Sequence, residues 1–286
     1  MVPPDKESRK GKKRMKHTCQ RENVYYCGNY MQVQTFPVMQ TKKYQRRAKY
    51  KPTSEMQAKL NERYRNDKLW MLVNLNFSLK DLAICPTYAD PTMREYCEEN
   101  TKRAMRDWHN FRRKLQRLYA SKGIELKYIM QLQYSNGTGY HFHIFLTGGV
   151  SYEEIKEKWG LGRTHINPLE FDENGVEGYI KYIQRGNVYA KNWCASKNLI
   201  RPEPEQRDGR IGKKEMFLFQ IEDKEAISAL YPGYVCTSIE WEYNELYGGE
   251  YARARFYRKG APFYYDQYKK VKKSQDFLAG RCVGTT

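Results

Sequence analysis

The chain has 286 residues, which is enough for one sizeable core with appendages or for two small domains. Its formal net charge is +18 and its isoelectric point is near 9.4, and so much like charge is costly to hold on one fold without a polyanionic partner. Nucleic acid is the first candidate for that partner, because 25 tyrosines add rings on which unpaired bases can stack.

The seven cysteines exclude two kinds of small scaffold. They form no Cys-x-x-Cys pair and have no regular spacing, so the sequence predicts neither a zinc ribbon nor a disulfide framework. The sequence also contains no recognisable secretory signal and no apolar run near the length of a membrane span. We therefore expect a cytoplasmic protein without a membrane partner.

Composition divides the chain into four segments. Residues 1–39 are expected to be a basic N-terminal arm and lead-in, whose first part is too polar to bury and would contact phosphates. Residues 40–204 should form the main domain. Residues 205–268 are an aromatic-rich accessory segment, and residues 269–286 are a basic tail.

The main domain opens with a predicted helix and a predicted strand. Thr53 or Ser54 can cap a run of polar helix formers that we expect to continue to about Asp67, with one face in solvent or against DNA. Asp81–Tyr88 is predicted to form a strand.

A long helix is predicted to open at Asp90 and to run to about Ala120. One face of this helix is apolar at helical spacing, and the other is rich in arginine and lysine. The apolar face comprises Ala104, Trp108, Phe111, Leu115 and Leu118. A strand, a long helix and a following hairpin fit an antiparallel sheet backed by a helix.

A β-hairpin follows, and its second strand holds two histidines. Lys127–Tyr134 alternates like a strand, Ser135–Gly139 supplies turn residues, and Tyr140–Leu146 is an apolar strand. His141 and His143 are two positions apart, so their side chains share one face of that strand. Two adjacent imidazoles make half a metal site; the alternative is two ordinary, half-exposed histidines on an edge strand.

The parity of the hairpin loop decides which residues face the histidines. A loop with an odd number of residues, centred on Gly137, places Gln133 opposite His141 and Gln131 opposite His143. A two-residue turn would place an apolar residue there instead. We predict the odd loop, with a positive φ at Gly137 or at the glycine that ends the turn, and Gln133 as the polar neighbour of the pair.

Two short elements come next. Ser151 and Glu154 form a predicted capping box for a helix that ends at Trp159. Arg163–Pro168 is predicted to be another strand of the sheet. Its His165 is expected to pack or to contact DNA, because no second metal-ligating residue stands beside it in the sequence.

Gly175–Arg185 predicts a helix that carries Tyr179 and Tyr182 on neighbouring positions of one face. Tyrosines at this spacing are also common in hydrophobic cores. In this basic chain, however, the pair lies beside Lys181 and Arg185 and follows the two histidines, which favours a functional site.

Taken together, three motifs resemble the HUH endonucleases that initiate rolling-circle replication of small phages, plasmids and single-stranded DNA viruses. Asp81–Tyr88 is similar to the first motif of that family, a strand ending in a Leu-Thr-Tyr-like sequence. His141–His143 matches its metal-binding motif of histidine, hydrophobe and histidine, and Tyr179–Arg185 is similar to its tyrosine helix. The resemblance covers residues 40–204 and is closest to phage and plasmid initiators.

The resemblance implies an α+β fold, with a central antiparallel sheet of about five strands, helices packed on its faces and a small aromatic-rich C-terminal extension. It implies site-specific nicking and joining of single-stranded DNA by transesterification, through a 5′-phosphotyrosine that leaves a free 3′ hydroxyl as primer. A divalent metal, Mg²⁺ or Mn²⁺, would bind His141, His143 and Gln133. The implied partners are a replication origin and the DNA polymerase and helicase of a bacterial host, since no phosphate-binding loop for a fused helicase is present.

The chain departs from the family pattern in two places. Relatives commonly have Glu where this chain has Gln133, a neutral amide whose carbonyl oxygen can still bind a hard cation. Relatives with two tyrosines usually space them four apart, whereas Tyr179 and Tyr182 are three apart. We expect Tyr182 to be the nucleophile, with Lys181 and Arg185 as nearby cations, and Tyr179 as the second candidate.

Two other functions also fit the sequence. A non-catalytic, basic binder of single-stranded DNA, with a purely structural histidine pair, would bind with or without a chelator. An HUH relaxase or transposase is the other alternative, although relaxases usually carry a third histidine in the metal motif.

Overall fold

The computed structural model describes residues 17–39, 55–184, 193–244 and 249–264. Within these ranges the chain forms ten strands and six α-helices. The strands are β1 (His17–Cys27), β2 (Tyr30–Met39), β3 (Leu82–Pro86), β4 (Tyr128–Ser135), β5 (Gly139–Leu146), β6 (Thr164–Pro168), β7 (Cys194–Ala195), β8 (Glu205–Asp208), β9 (Tyr234–Asn244) and β10 (Gly249–Arg258). The helices are α1 (Glu55–Asn76), α2 (Glu98–Ser121), α3 (Tyr152–Trp159), α4 (Glu177–Ile183), α5 (Lys213–Gln220) and α6 (Lys224–Ala229).

The first sheet has the strand order β6-β3-β5-β4-β7 and is antiparallel throughout. We call it the histidine sheet. Its back face packs against α2 and α3, where Phe142 and Ile144 join the aromatic rings of Trp108, Phe111 and Trp159 in one core. The predicted α+β class is therefore confirmed: an antiparallel sheet with helices on its faces.

A second five-stranded antiparallel sheet has the order β8-β1-β2-β10-β9. Its outer face packs against α5 and α6 around Met31, Phe219 and Phe256. The sequence analysis assigned residues 1–39 to an arm and lead-in and residues 205–268 to a separate accessory segment. The structure instead joins residues 17–39 to that C-terminal segment, because β2 pairs with β10 from Thr35 opposite Ala252 to Tyr30 opposite Tyr257.

Helix α1 lies between the two sheets. The Trp70 ring is 6.1 Å from the ring of Tyr30 in β2, and Phe77, directly after the helix, is 6.1 Å from Phe145 in β5. The predicted end of this helix near Asp67 was wrong. The apolar residues after Asp67 continue the helix to Asn76, since neither glycine nor proline interrupts them, and they are buried rather than facing solvent.

The start of α2 is the other correction. Asp90 was predicted to open the long helix, but its carboxylate accepts a hydrogen bond from the Thr92 N–H at 3.0 Å and closes a single 3-10 turn, Pro91–Arg94. The chain is then extended at Glu95, and α2 begins at Glu98. The predicted apolar face of α2 is confirmed, with four of its five residues buried and Leu118 partly buried.

Two further predictions of local structure are confirmed. The capping box of α3 is present, with the Ser151 hydroxyl and the Glu154 carboxylate each bonded to the backbone N–H of the other residue. Strands β3 and β6 lie where the sequence predicted them. None of the helices in the described ranges has the length and apolar character needed to cross a membrane.

Candidate metal and tyrosine site

The hairpin of β4 and β5 sets the register of the candidate site. Three loop residues separate Ser135 from Gly139, and Gly139 has a φ of +76°, as predicted for the odd loop. Gln133 is paired with His141 and Gln131 with His143, so all four side chains lie on the front face of the histidine sheet. A Cβ on Gly139 would lie 2.5 Å from the Met93 carbonyl oxygen, so this position also requires glycine for space.

Both histidines are buried, with 7% and 3% of His141 and His143 exposed, and their ring centroids are 5.2 Å apart. His141 Nδ1 is 2.9 Å from the carbonyl oxygen of Gly139. A carbonyl only accepts hydrogen bonds, so Nδ1 carries the proton and Nε2 keeps a lone pair. His143 Nδ1 is 3.3 Å from the Tyr179 hydroxyl, which leaves its Nε2 as the second possible donor to a metal.

The protonation state of the pair suits metal binding. Burial, assisted by the neighbouring imidazole of His141, lowers the pKa of His143 from 6.5 to about 4. Burial also lowers the pKa of His141, opposed by its hydrogen bond to Gly139. The imidazole of His143 is therefore neutral at pH 7, and the neutral form is the one that coordinates metals.

Several buried polar atoms on the front face lack partners. Within the described part of the chain, no hydrogen bond reaches His143 Nε2, Gln133 Nε2 or either side-chain amide atom of Gln131. A buried polar group without a partner costs about 1–3 kcal/mol, so such groups are uncommon in folded proteins. Their concentration around two histidines indicates a place built to receive a ligand.

The residues present fit a divalent ion with mixed nitrogen and oxygen ligands. Two imidazoles bound to one ion, each at about 2.1 Å, have ring centres about 5 Å apart, which is the separation of His141 and His143. Among the described residues, no group of three His, Cys, Asp or Glu side chains could hold a metal, so the remaining protein ligands would be amide oxygens. Gln133 was predicted for this role. Gln131 was not, although the register that selects Gln133 also selects Gln131.

Helix α4 brings both tyrosines to the histidines. The Tyr182 ring is 5.5 Å from the His143 ring and the Tyr179 ring is 6.1 Å from it, while Ile180 and Ile183 are buried in the core. Tyr182 is 57% exposed and open to a substrate. Tyr179 packs edge-on against a core phenylalanine of β5, and burial raises the pKa of its hydroxyl.

The structure places the other predicted residues as follows. Lys181 forms an ion pair with Glu177 one turn earlier, at 2.8 Å. Arg185 lies outside the described residues. His165 is exposed on β6 opposite Cys85 of β3, which puts it on the same sheet face as the metal candidates but two strands away from β5.

Cys85 is a front-face neighbour that the sequence analysis did not consider. The register that pairs Ile84 with Ile144 continues to the bridge between Thr87 and His141, so Cys85 lies across from His143. Burial raises the pKa of its thiol to about 11, and Cys85 is therefore a neutral thiol at pH 7.

Comparison with known proteins gave one match. The search of curated proteins found no match, and neither did the search of solved structures. A scan of family models matched residues 82–187, which run from β3 through α4 and contain the histidines, both glutamines and both tyrosines. That stretch matches the family of replication-associated proteins that comprises the ORF2 and gene 2 proteins, which confirms the resemblance of this part of the chain to rolling-circle replication proteins.

Proposed function

We propose that this chain initiates rolling-circle DNA replication by nicking and rejoining single-stranded DNA at an origin. The observation that supports this most strongly is the approach of two tyrosine rings to His143, whose Nε2 is buried and unpartnered within the described residues. A nucleophile beside an incomplete set of metal ligands is the arrangement that phosphodiester transesterification requires.

His141, His143 and Gln133 would hold the divalent metal, Mg²⁺ or Mn²⁺, and Gln131 could supply another amide oxygen. When bound, the ion would neutralise charge on the non-bridging oxygens of the scissile phosphate. The Nδ1 contacts of both histidines would fix the two rings before any metal arrives, so little reorganisation would be needed on binding.

Tyr182 is the proposed nucleophile because its side chain is the more exposed of the two and its ring faces His143 edge-on. Its hydroxyl loses a proton and its oxygen forms a bond to phosphorus, while the bond between phosphorus and the 3′ oxygen breaks. The 3′ oxygen takes up a proton and leaves as the free hydroxyl that a polymerase extends. The 5′ phosphate stays on the tyrosine, and the reverse reaction rejoins the strand without ATP.

Tyr179 is better suited to orienting His143 than to attacking phosphate. Its hydroxyl is already 3.3 Å from His143 Nδ1, and burial raises its pKa, which disfavours the phenolate needed for attack. Tyr179 is therefore proposed as the positioning residue and the second candidate nucleophile.

Lys181 is proposed to supply positive charge near the phosphate. Its side chain is 71% exposed, and its partner Glu177 also pairs with Arg255 at 2.9 Å. Lys181 can therefore turn to a bound phosphate while Glu177 keeps a cationic partner. Arg185, which follows Tyr182 by three positions in the sequence, keeps the same proposed role.

The test is covalent adduct formation on a library of random single-stranded oligonucleotides, analysed after denaturation in detergent. The wild-type chain should form an adduct with Mn²⁺ or Mg²⁺ and none with a chelator. Tyr182→Phe should abolish most of it, and the double variant with Tyr179→Phe should abolish all of it. Full adduct in the double variant would exclude the mechanism, whereas chelator-independent binding without any adduct would identify a non-catalytic binder.

A further inference from the structure

Helix α4 contains little that would hold it in place by itself. It has seven residues, and its N-cap, Val176, offers no side-chain hydrogen bond to the first turn. A helix this short is marginal in isolation, so contacts with other elements must determine its orientation. That orientation decides whether Tyr182 points at the histidines.

The loop that leads into α4 is bound by residues from outside the histidine sheet. The Tyr30 hydroxyl of β2 donates to the Asp172 carbonyl oxygen at 2.7 Å, and Trp70 Nε1 of α1 donates to the Asn174 carbonyl oxygen at 2.8 Å. Gly175 follows with a φ of +71°, a conformation that L side chains rarely adopt. The loop is therefore fixed at both carbonyls before the helix starts.

Arg255 of β10 makes the connection to the helix itself. This buried guanidinium contacts Glu177, the first residue of α4, through Nη1 at 2.9 Å and Asp67 of α1 through Nη2 at 2.8 Å. Its Nε donates to the Gln32 side chain at 3.2 Å, and its plane lies 4.6 Å from the Trp70 ring. We call this set the Arg255 clamp. Only a planar fork of donors can satisfy these directions together.

The Arg255 clamp is better explained by orientation than by stability. A buried ion pair contributes little net stability, because desolvation offsets most of its attraction. Moreover, both carboxylates have a second cation, since Glu177 pairs with Lys181 and Asp67 pairs with Arg253. Losing Arg255 would leave neither carboxylate unpaired, but it would remove the direct link between β10 and α4.

We propose that Arg255 is a positioning residue for the reaction and that the second sheet serves to hold the tyrosine helix over the histidines. This inference rests on the proposed nicking function. It assigns a role to residues 17–39 and 205–258, which lie outside the family match at 82–187. The matched region alone would then contain the reacting groups without the part that aligns them.

The test compares two matched substitutions in the second sheet and its flanking loop. Arg255→Lys and Arg210→Lys each replace the guanidinium of a buried ion pair by an ammonium group. Arg210 binds Glu22 of β1 at 2.6 Å, and Glu22 also accepts a hydrogen bond from Tyr231, so this pair ties Arg210 to β1 rather than to α4. Arg255→Gln removes the charge as well.

Single-turnover adduct formation, oligonucleotide affinity and hydrogen exchange of the α4 amides are measured on the full chain. Arg255→Lys should slow adduct formation about tenfold and Arg255→Gln about a hundredfold, with affinity for DNA nearly unchanged, because a displacement of about 1 Å is that costly. Both should also speed exchange in α4. Arg210→Lys should leave the adduct rate and the exchange of α4 unchanged.

Equal slowing in Arg210→Lys would overturn the proposal, because the effect would then be general to the sheet. Unchanged exchange of α4 in Arg255→Gln would overturn it as well, whatever the nicking result. Absence of an adduct from the wild-type chain, with faster α4 exchange in Arg255→Gln, would reject the nicking function while leaving the structural link intact.

Discussion

The two faces of the histidine sheet use the same strands for opposite purposes. Along β5, Phe142 and Ile144 point to the back face and are buried among the rings of α2 and α3, while His141 and His143 point to the front face. The back face is apolar and closely packed. The front face keeps buried polar atoms without partners among the described residues, which lowers stability. One strand therefore divides stability and candidate chemistry between alternate residues.

The largest expected effect is on the back face. Phe142→Ala should lower the free energy of unfolding by about 3–5 kcal/mol, because the ring is fully buried between Trp108 and Trp159. Urea denaturation of the variant and of wild type measures the difference. A loss below about 1 kcal/mol would show that the back face is not the main source of stability.

The neighbouring front-face residue should show the reverse pattern. His143→Leu should reduce adduct formation at least about a hundredfold through loss of a metal ligand, yet change the free energy of unfolding by only about 1.5 kcal/mol or less. The relevant measurements are the adduct rate with Mn²⁺ and the urea midpoint. An active variant would remove His143 from the proposed site.

The pH dependence of stability should reveal the same residue in protein treated with chelator. The unfolded chain binds a proton at His143 near pH 6.5, whereas burial lowers the folded pKa to about 4. Between these values the unfolded state holds more protons, so stability falls as the pH decreases from about 6.5 to 4, by at most about 3 kcal/mol. His143→Leu should flatten this part of the profile, and an unchanged profile would contradict the assignment.

The smallest effects compare two glycines near the tyrosine helix. Gly175→Ala should destabilise the chain by about 1 kcal/mol or more, because φ is +71° and the new Cβ would lie 2.2 Å from the Asn74 side-chain oxygen. Gly178→Ala is the control: this exposed position in α4 has open space around it, so alanine should stabilise by about 0.5–1 kcal/mol. Thermal unfolding of both variants provides the comparison, and equal shifts would refute it.

The sequence predicted the parts of the site that depend on local rules. Loop parity gave the pairing of Gln133 with His141, and helical spacing gave the buried face of α2. The second sheet was not predicted, because its strands come from opposite ends of the chain and their pairing has no local signal. For the same reason the Arg255 clamp could not be predicted: Arg255 and Gln32 are separated by 223 positions.

Peptide mapping of the covalent adduct tests the central claim most directly. Trypsin cuts after Lys181 and Arg185, so Tyr182 and Tyr179 fall on different peptides and mass spectrometry can tell them apart. We expect a nucleotide on the peptide Tyr182–Arg185 after reaction of the wild-type chain with single-stranded DNA and Mn²⁺. A nucleotide on neither tyrosine peptide would contradict the proposed mechanism.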